Sequence, residues 1–399
     1  MRLLYLTNGF PYPLTSGYLR HYYFIRELSR HHEILLLSIV PADFRTENIE
    51  AMKPFAKRVS TFTSANKSRS FARKLAGRVR GLLGGSHAVD QMCAEVRGLA
   101  GAKAFDAALL SGKQTFPVLE QLRGLPLVVD LCDAASLRVR GAMRHAPLWM
   151  LPSLLLRLAT VRRAERVLIQ SASHLLFASC RDREALLDSS TNGHVIPNGV
   201  DLDYWKRSQR RRGENTVIFT GGMDYPPNVD AAVVLIRDVM PIVQEALPSA
   251  RLLIVGRDPV PELVSAGKQA PGVTVTGFVE DVRPFLEKAT VFVAPLRFGA
   301  GIQNKLLEAL AMEMPVIASP LAADGLRTEN GDLPPLEQAF EPDDLAGLII
   351  RRLQEANKNV APVPEARAFV ERHFNWHKSG EKLHRLLVAA VDGSGAVPA

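Results

Sequence analysis

Along the chain, apolar residues gather in short runs of strand composition, and between the runs they recur at three- and four-residue intervals. Residues 2–6 (RLLYL) and Glu33–Val40 (EILLLSIV) are two such runs, and the stretch between them carries Tyr22, Ile25 and Leu28 at helical spacing. This predicts an opening strand–helix–strand unit, with a helix over 18–30. Residues 47–101 read as mostly helical and basic, with one strand near 58–62. Apolar runs at 107–110 and 127–129, a long apolar and basic helix over 147–166, short strands or strand ends at 168–170 and 175–178, and a helix over 181–187 complete a first series. A strand near 195 then gives way to turn chemistry at Pro197, Asn198 and Gly199.

A second series starts at Thr216. VIFTGG is a strand running into Gly221 and Gly222. Residues 228–247 read as helix, Arg251–Val255 (RLLIV) as a strand ending at Gly256 and Arg257, and Pro261–Gln269 as helix. A strand over 273–276 ends in Gly277, Phe278 and Val279, and a short helix over 281–288 follows. Helices are then expected over 342–357, 363–373 and 376–391, and residues 392–399 (DGSGAVPA) read as a disordered tail. The two series divide near 193–208. The fold class they predict is α/β, with two doubly wound, Rossmann-like sheets facing each other across a cleft.

Composition narrows the class. A length of 399 residues accommodates two or three cores, and 47% hydrophobic with 23% charged residues is ordinary for a globular chain. Cys93, Cys132 and Cys180 form neither a disulfide framework nor a zinc pattern, which favours a reducing compartment. The opening MRLLYLTNGF reads as a first strand and not as a signal peptide, and no uncharged apolar stretch reaches transmembrane length. A cytoplasmic protein is expected. The net charge of +8 is clustered at 67–80, 157–166 and 206–212. No nucleic-acid motif accompanies these clusters and aromatics near them are sparse, so a nucleic-acid partner is not expected. In the first cluster, Phe71, Leu75, Val79, Leu82 and Leu83 alternate with basic residues. That suits peripheral contact with an anionic membrane, and it equally suits a plain exposed helix.

Candidate chemistry concentrates in residues 294–326, APLRFGAGIQNKLLEALAMEMPVIASPLAADGL. An apolar run at 290–294 leads into a loop with Gly299 and Gly301. A helix over 302–312 carries Ile302, Leu306, Leu307 and Leu310 at helical spacing, and a strand begins at 315–318. In such a unit the helix N-terminus lies at the carboxyl end of the sheet and favours an anion. Lys305 in the first turn opposes that dipole, which makes sense with a phosphate between them. Glu308, one turn on, can accept from ribose hydroxyls. The alternative is a tight turn, a solvated lysine and a helix-supporting glutamate; spacing alone does not separate the two. A second candidate loop is VVDLCDAAS, which sets Asp130, Cys132, Asp133 and Ser136 at a strand's carboxyl end, with helix capping by Asp133 or Ser136 as the plainer reading. The first loop, with Gly9, Pro11, Pro13 and Gly17, is no G-x-G-x-x-G fingerprint, so dehydrogenase chemistry finds little support.

Six ordered matches then carry a resemblance over nearly the whole chain. They are Pro11-x-Pro13 with Gly17 and Arg20; 195–201 (VIPNGVD); 221–225 (GGMDY) with Pro227 and Asn228; 254–256 (IVG); 276–279 (TGFV) with Asp281; and 295–297 (PLR) through 301–305 (GIQNK) to Glu308 and Ala309. The chain resembles the retaining glycosyltransferases of family 4, which have the GT-B fold. It is most similar to the surface-polysaccharide branch that includes the exosortase-associated sugar transferases. The resemblance implies an acceptor-binding domain over 1–194, a nucleotide-sugar-binding domain over 195–375, and a helix over 376–391 crossing back to the first domain before the tail 392–399. It implies a nucleotide-sugar donor as co-substrate, a glycan or lipid-linked acceptor at the inner membrane face, and no separate cofactor or metal.

Carried over, Glu308 matches the ribose-binding glutamate and Lys305 a lysine that neutralises the diphosphate. Gly301 and Ile302 match backbone donors to that diphosphate, Val279 a position beside the base, and Gly17 the glycine loop facing the reaction centre. Gly222 and Arg257, at neighbouring strand ends, and Arg20 join the substrate-binding candidates. The family's first glutamate is Ala300 here, and the usual Arg–Lys pair after the first strand of the second domain is missing, so Arg297 and Lys305 would carry the phosphate charge. Where many members place a histidine in the loop after Asp130, this chain has Cys132 and Asp133, and the resemblance assigns the histidine's role to neither; Asp133 is the candidate for orienting the acceptor or the sugar, alongside Lys305 and Glu308 in catalysis. The alternatives are a nucleotide-sugar epimerase or phosphorylase on the same fold, and a non-catalytic nucleotide-sugar-binding subunit.

Overall fold

The computed structural model describes residues 1–14, 18–63, 86–188, 193–208, 215–358 and 362–393. The basic segment at 67–83, Gly17 and the tail from 394 lie outside the described residues.

Seven parallel strands form the first sheet: β1 (Arg2–Thr7), β2 (Glu33–Val40), β3 (Arg58–Thr63), β4 (Ala107–Ser111), β5 (Leu127–Cys132), β6 (His174–Phe177) and β7 (Gly193–Val195), in the order β3-β2-β1-β4-β5-β6-β7. Six more form the second: β8 (Thr216–Thr220), β9 (Arg251–Val255), β10 (Val273–Val275), β11 (Val291–Ala294), β12 (Val316–Ala318) and β13 (Glu337–Gln338), in the order β10-β9-β8-β11-β12-β13. All ladders are parallel, with Leu3 beside Ile34 and Ala107, and Val217 beside Leu252 and Val291. The central strands are buried on both faces, which is why β1, β4 and β8 read as continuous apolar runs without alternation. In each sheet the order reverses between two central strands, β1/β4 and β8/β11. Such a switch point opens a crevice at the carboxyl ends.

The sheets part between Val195 and Thr216. Val195 still pairs in the first sheet and Ile196 is buried in its core. The helix Trp376–Asp392 returns to the first domain. Trp376, Leu383, Leu386 and Leu387 bury one face of it, and the Trp376 ring stacks on Tyr23 at 4.6 Å and 6° and meets Phe24 edge-on. Asn375 caps its start by accepting from the Lys378 N–H. Ser379 Oγ donates to the Pro197 carbonyl at 2.9 Å, so the same helix also grips the chain crossing between domains.

Several elements differ from the sequence expectation. The helix predicted over 228–247 is three pieces: Pro226–Val234, a π-turn at Leu235–Val239 and Met240–Ala246. Pro241 supplies no N–H, and the wider turn accommodates that gap. Residues 168–170, expected as a strand, are the end of the helix Leu151–Ser171. A helix at Ala135–His145 follows the Asp133 loop directly.

Candidate functional site

The crevice of the second sheet is built by the loops after β8 and β11. Gly221 follows β8 with φ +151°, and a Cβ there would meet Asn228 Nδ2 at 2.5 Å and Lys305 Nζ at 3.3 Å. Only glycine lets the turn, Asn228 and the lysine converge. Asn228 ties them together: its Nδ2 donates to the Gly222 carbonyl at 2.9 Å, and its Oδ1 accepts from Lys305 Nζ. Lys305 also lies over the Phe219 ring, 4.6 Å from the centroid.

The helix holding Lys305 runs Asn304–Ala311. It buries Leu306, Leu307 and Leu310 against the second core, which fixes the opposite face toward the crevice. Lys305 and Glu308 are both half-buried. Burial pushes the Lys305 ammonium down to about 7, against the pull of Glu308. Burial likewise pushes the Glu308 carboxyl up to about 7, against Lys305. Among the described residues the Glu308 carboxylate has no hydrogen-bond partner. Both groups titrate where a bound anion or hydroxyl would reset them.

Two expected residues are placed otherwise. Arg297, expected to share the phosphate charge, points its guanidinium at Asp230: Nε donates to Oδ2 at 2.8 Å and Nη2 bonds Oδ1. Its charge is answered by a protein carboxylate. Arg20, expected to touch substrate, is buried in the first domain. It donates twice to Asp130 (2.9 and 3.2 Å), and to the Ile196 carbonyl and Asn198 Oδ1, both at 2.8 Å. Four bonds leave it a structural post. Asn198 in turn donates to Asn304 Oδ1 at 2.8 Å, so this post anchors the first residue of the Lys305 helix.

Gly301, expected to offer its N–H to a diphosphate, donates it instead to Asp182 Oδ2 at 2.9 Å. Asp182 comes from the first domain, is fully buried, and also accepts from the Ala134 N–H at 2.9 Å. Beside it, Arg181 donates to the carbonyls of Gly299 (2.9 Å) and Leu321 (2.7 Å). These two residues latch the domains across the glycine loop, and the sequence reading missed both. Ile302 faces a cavity of about 290 Å³ that it lines with Pro197 and Ser379. Gly222 is held by Asn228, Val279 packs against the second core, and Arg257 is exposed beside Asp258 with its carbonyl accepting from the Met223 N–H at 2.8 Å.

On the facing wall, Asp133 abuts the glycine loop: a Cβ on Gly301 (φ +73°) would lie 3.3 Å from its Cβ. Lys113 Nζ donates to Asp133 Oδ1 at 2.8 Å, and Arg138 Nη1 stands 3.6 Å from Oδ2. Burial works to raise Asp133, but Lys113 and Arg138 outweigh it and hold the carboxyl below its usual value. Arg138 reaches Tyr225 Oη of the second domain at 3.4 Å. Cys132, the other candidate for the loop, has its thiol pushed up to about 12 by burial and is no nucleophile at neutral pH. Neither Lys113 nor Arg138 was picked out by spacing, since each joins Asp133 only through the fold.

Residues 214–355, which contain this wall of the crevice, match the family model of glycosyl transferases group 1. The phosphatidyl-myo-inositol mannosyltransferase of Mycobacterium tuberculosis (strain CDC 1551 / Oshkosh) is 30% identical over 213 residues, 50% of this chain and 55% of that protein. The enzyme of the same name from Mycobacterium leprae (strain TN) is 29% identical over 210 residues, 50% of this chain and 54% of its own. The chain thus spans about half the length of these relatives. Among solved structures, Anabaena Alr3699/HepE in complex with UDP and glucose superposes with a TM-score of 0.67 at 15% identity, covering 96% of this chain and 98% of that one. Sucrose-phosphate synthase from Thermosynechococcus elongatus gives 0.69 at 14%, covering 98% and 100%. The two facing parallel-sheet domains are those of GT-B glycosyltransferase structures.

Proposed function

We propose that this chain is a glycosyltransferase that moves a sugar from a nucleotide-sugar to a glycan or lipid-linked acceptor. One observation carries the reading: Lys305 and Glu308 share the crevice face of a helix at the β8/β11 switch point, both poised near neutrality by burial, with Glu308 unpartnered among the described residues. The group 1 match over 214–355 covers the same wall and supports it.

In this reading the hard step is departure of a nucleoside diphosphate. Lys305 and the N-terminus of its helix stabilise the negative charge as it develops, and Glu308 holds the ribose. A bound diphosphate raises the Lys305 pKa, so that the lysine is fully charged when its charge is needed. Asp133, held ionised by Lys113 and Arg138 at the mouth of the facing wall, orients the acceptor or the sugar. The domains, latched through Arg181 and Asp182, exclude water from the reacting centre. Retention of configuration and a role in surface or exopolysaccharide synthesis follow from the family resemblance.

A thermal-shift panel of UDP-, GDP-, ADP- and TDP-sugars, followed by transfer assays with the stabilising donor, tests the reading. A transferase is stabilised by one donor class and consumes it only with acceptor present. Sugar isomerisation without acceptor would make it an epimerase. Binding without transfer to any saccharide or lipid-linked glycan would make it a non-catalytic subunit.

A further inference from the structure

Between Asp133 and Glu165 the sequence holds six arginines and no aspartate or glutamate. The fold turns this stretch into one surface. The helix Ala135–His145 leaves the cleft mouth, the turn Leu148–Met150 reverses the chain, and the helix Leu151–Ser171 returns along the first domain. At the reversal Leu148 is 82% exposed and Trp149 79%, with Leu155 and Leu156 more than half exposed on the following helix. Arg144 and Arg157 flank them in the open, and neither forms an ion pair among the described residues. Four large apolar side chains in one exposed place exceed what a soluble surface scatters singly.

We propose that this knob docks the protein on an anionic lipid surface, with Leu148, Trp149, Leu155 and Leu156 entering the headgroup and acyl boundary and the arginines pairing with lipid phosphates. A tryptophan at the tip with basic neighbours and no acid matches what that interface selects. A second copy of this chain fits worse, because its matching face carries the same unbalanced positive charge. Nucleic acid would answer the arginines but gives the leucines nothing to enter. Among the described residues no helix is long and apolar enough to cross a membrane, so the contact is made from one side.

The knob stands close to the crevice. The helix Ala135–His145 has 11 residues, so it spans about 16 Å. Its first turns hold Arg138 against Tyr225, and at its far end His145 stacks on Phe298 of the glycine-loop segment at 5.9 Å. A docked molecule therefore holds its cleft mouth within about 16 Å, one helix length, of the knob. The docking itself does not depend on the transferase reading and is measured without any sugar.

The test is flotation of the full-length protein with vesicles of phosphatidylcholine alone and with 30% phosphatidylglycerol, with L148S/W149S as the variant. Wild type is expected to bind the anionic vesicles at least about tenfold better than neutral ones, and the double variant to lose about tenfold or more of that binding with an unchanged melting temperature. Brominated lipid is expected to quench tryptophan emission in wild type and not in Trp149→Phe. Binding by the double variant equal to wild type would overturn the proposal and leave the basic segment at 67–83 as the docking element. Failure of wild type to bind either vesicle, or a dimer in solution that the double variant splits, would also overturn it.

Discussion

On the second-domain wall Lys305 has a single hydrogen bond, to Asn228, and Glu308 has none among the described residues, whereas on the first-domain wall Arg20, Asp130, Lys113 and Asp133 are bonded to one another or to backbone. Both walls hold half-buried or buried charge. The difference lies in what is left over. In the first domain the charges satisfy each other, which makes the wall rigid and costly to break. In the second, burial has shifted both groups toward neutrality, and among the described residues they have only each other's charge and the Asn228 amide to answer them. Unanswered charge near a switch point marks a ligand's place; answered charge marks the frame that holds it or, at Asp133 in the proposed reaction, a carboxylate kept ionised by that frame.

The comparison breaks most sharply on stability. Arg20→Ala strands the buried Asp130 carboxylate and is expected to cost about 3–5 kcal/mol in denaturant unfolding. Lys305→Ala removes a desolvated ammonium and is expected to leave the midpoint unchanged or raised. An equal loss in both would erase the distinction between frame and site.

Turnover should invert that ranking. With the donor identified, Lys305→Ala is expected to lower kcat/KM by about 100- to 1000-fold, as for loss of a group that meets developing charge. Arg297→Ala is expected to lose far less, because Asp230 already holds that guanidinium.

A finer probe is the pH dependence of donor affinity by titration calorimetry, using a nucleotide-sugar whose phosphates are both esterified and do not titrate near neutrality. In the proposed reaction the donor needs Lys305 charged and Glu308 ionised. Below about 7 Glu308 takes a proton, and above about 7 Lys305 loses one. Affinity is therefore expected to peak near pH 7 and fall on both sides. Lys305→Met should flatten the alkaline limb and Glu308→Gln the acid limb; an unchanged profile in either variant would unseat that residue.

A last probe lies under the first-domain wall. His21, bonded to Tyr5 Oη at 2.9 Å, is held at about 4 by burial, with Asp130 pulling it upward. Below its unfolded pKa of about 6.5 the unfolded chain takes up the proton and the folded one does not, so stability falls from pH 6.5 toward 4. His21→Gln is expected to shallow that decline in a melting-temperature series.

Much of the frame was legible because the chain obeys local rules. The β8 and β11 runs and the 302–312 spacing located the sheet ends and the Lys305 helix within two residues at the start and one at the end. The Ala135–His145 helix was invisible because Arg138, Arg140 and Arg144 break its apolar face, and it is held from outside through Arg138 and His145. The site's partners were hidden for another reason. Arg20 meets Asp130 across 110 positions and Asp182 meets Gly301 across 119, and no spacing rule reaches so far. For Arg297 and Arg20 residue type suggested a substrate, and only geometry revealed the carboxylate already paired with each.

The helix Trp376–Asp392 has a consequence for how the chain is made. Tyr23 and Phe24, on the first helix, await a Trp376 that emerges only after the whole second domain. At ordinary translation speeds of about 5–20 residues per second, that leaves an apolar flank uncovered for on the order of ten seconds or more on every ribosome. The first domain is thus born with a borrowed surface, open to solvent until the last helix arrives.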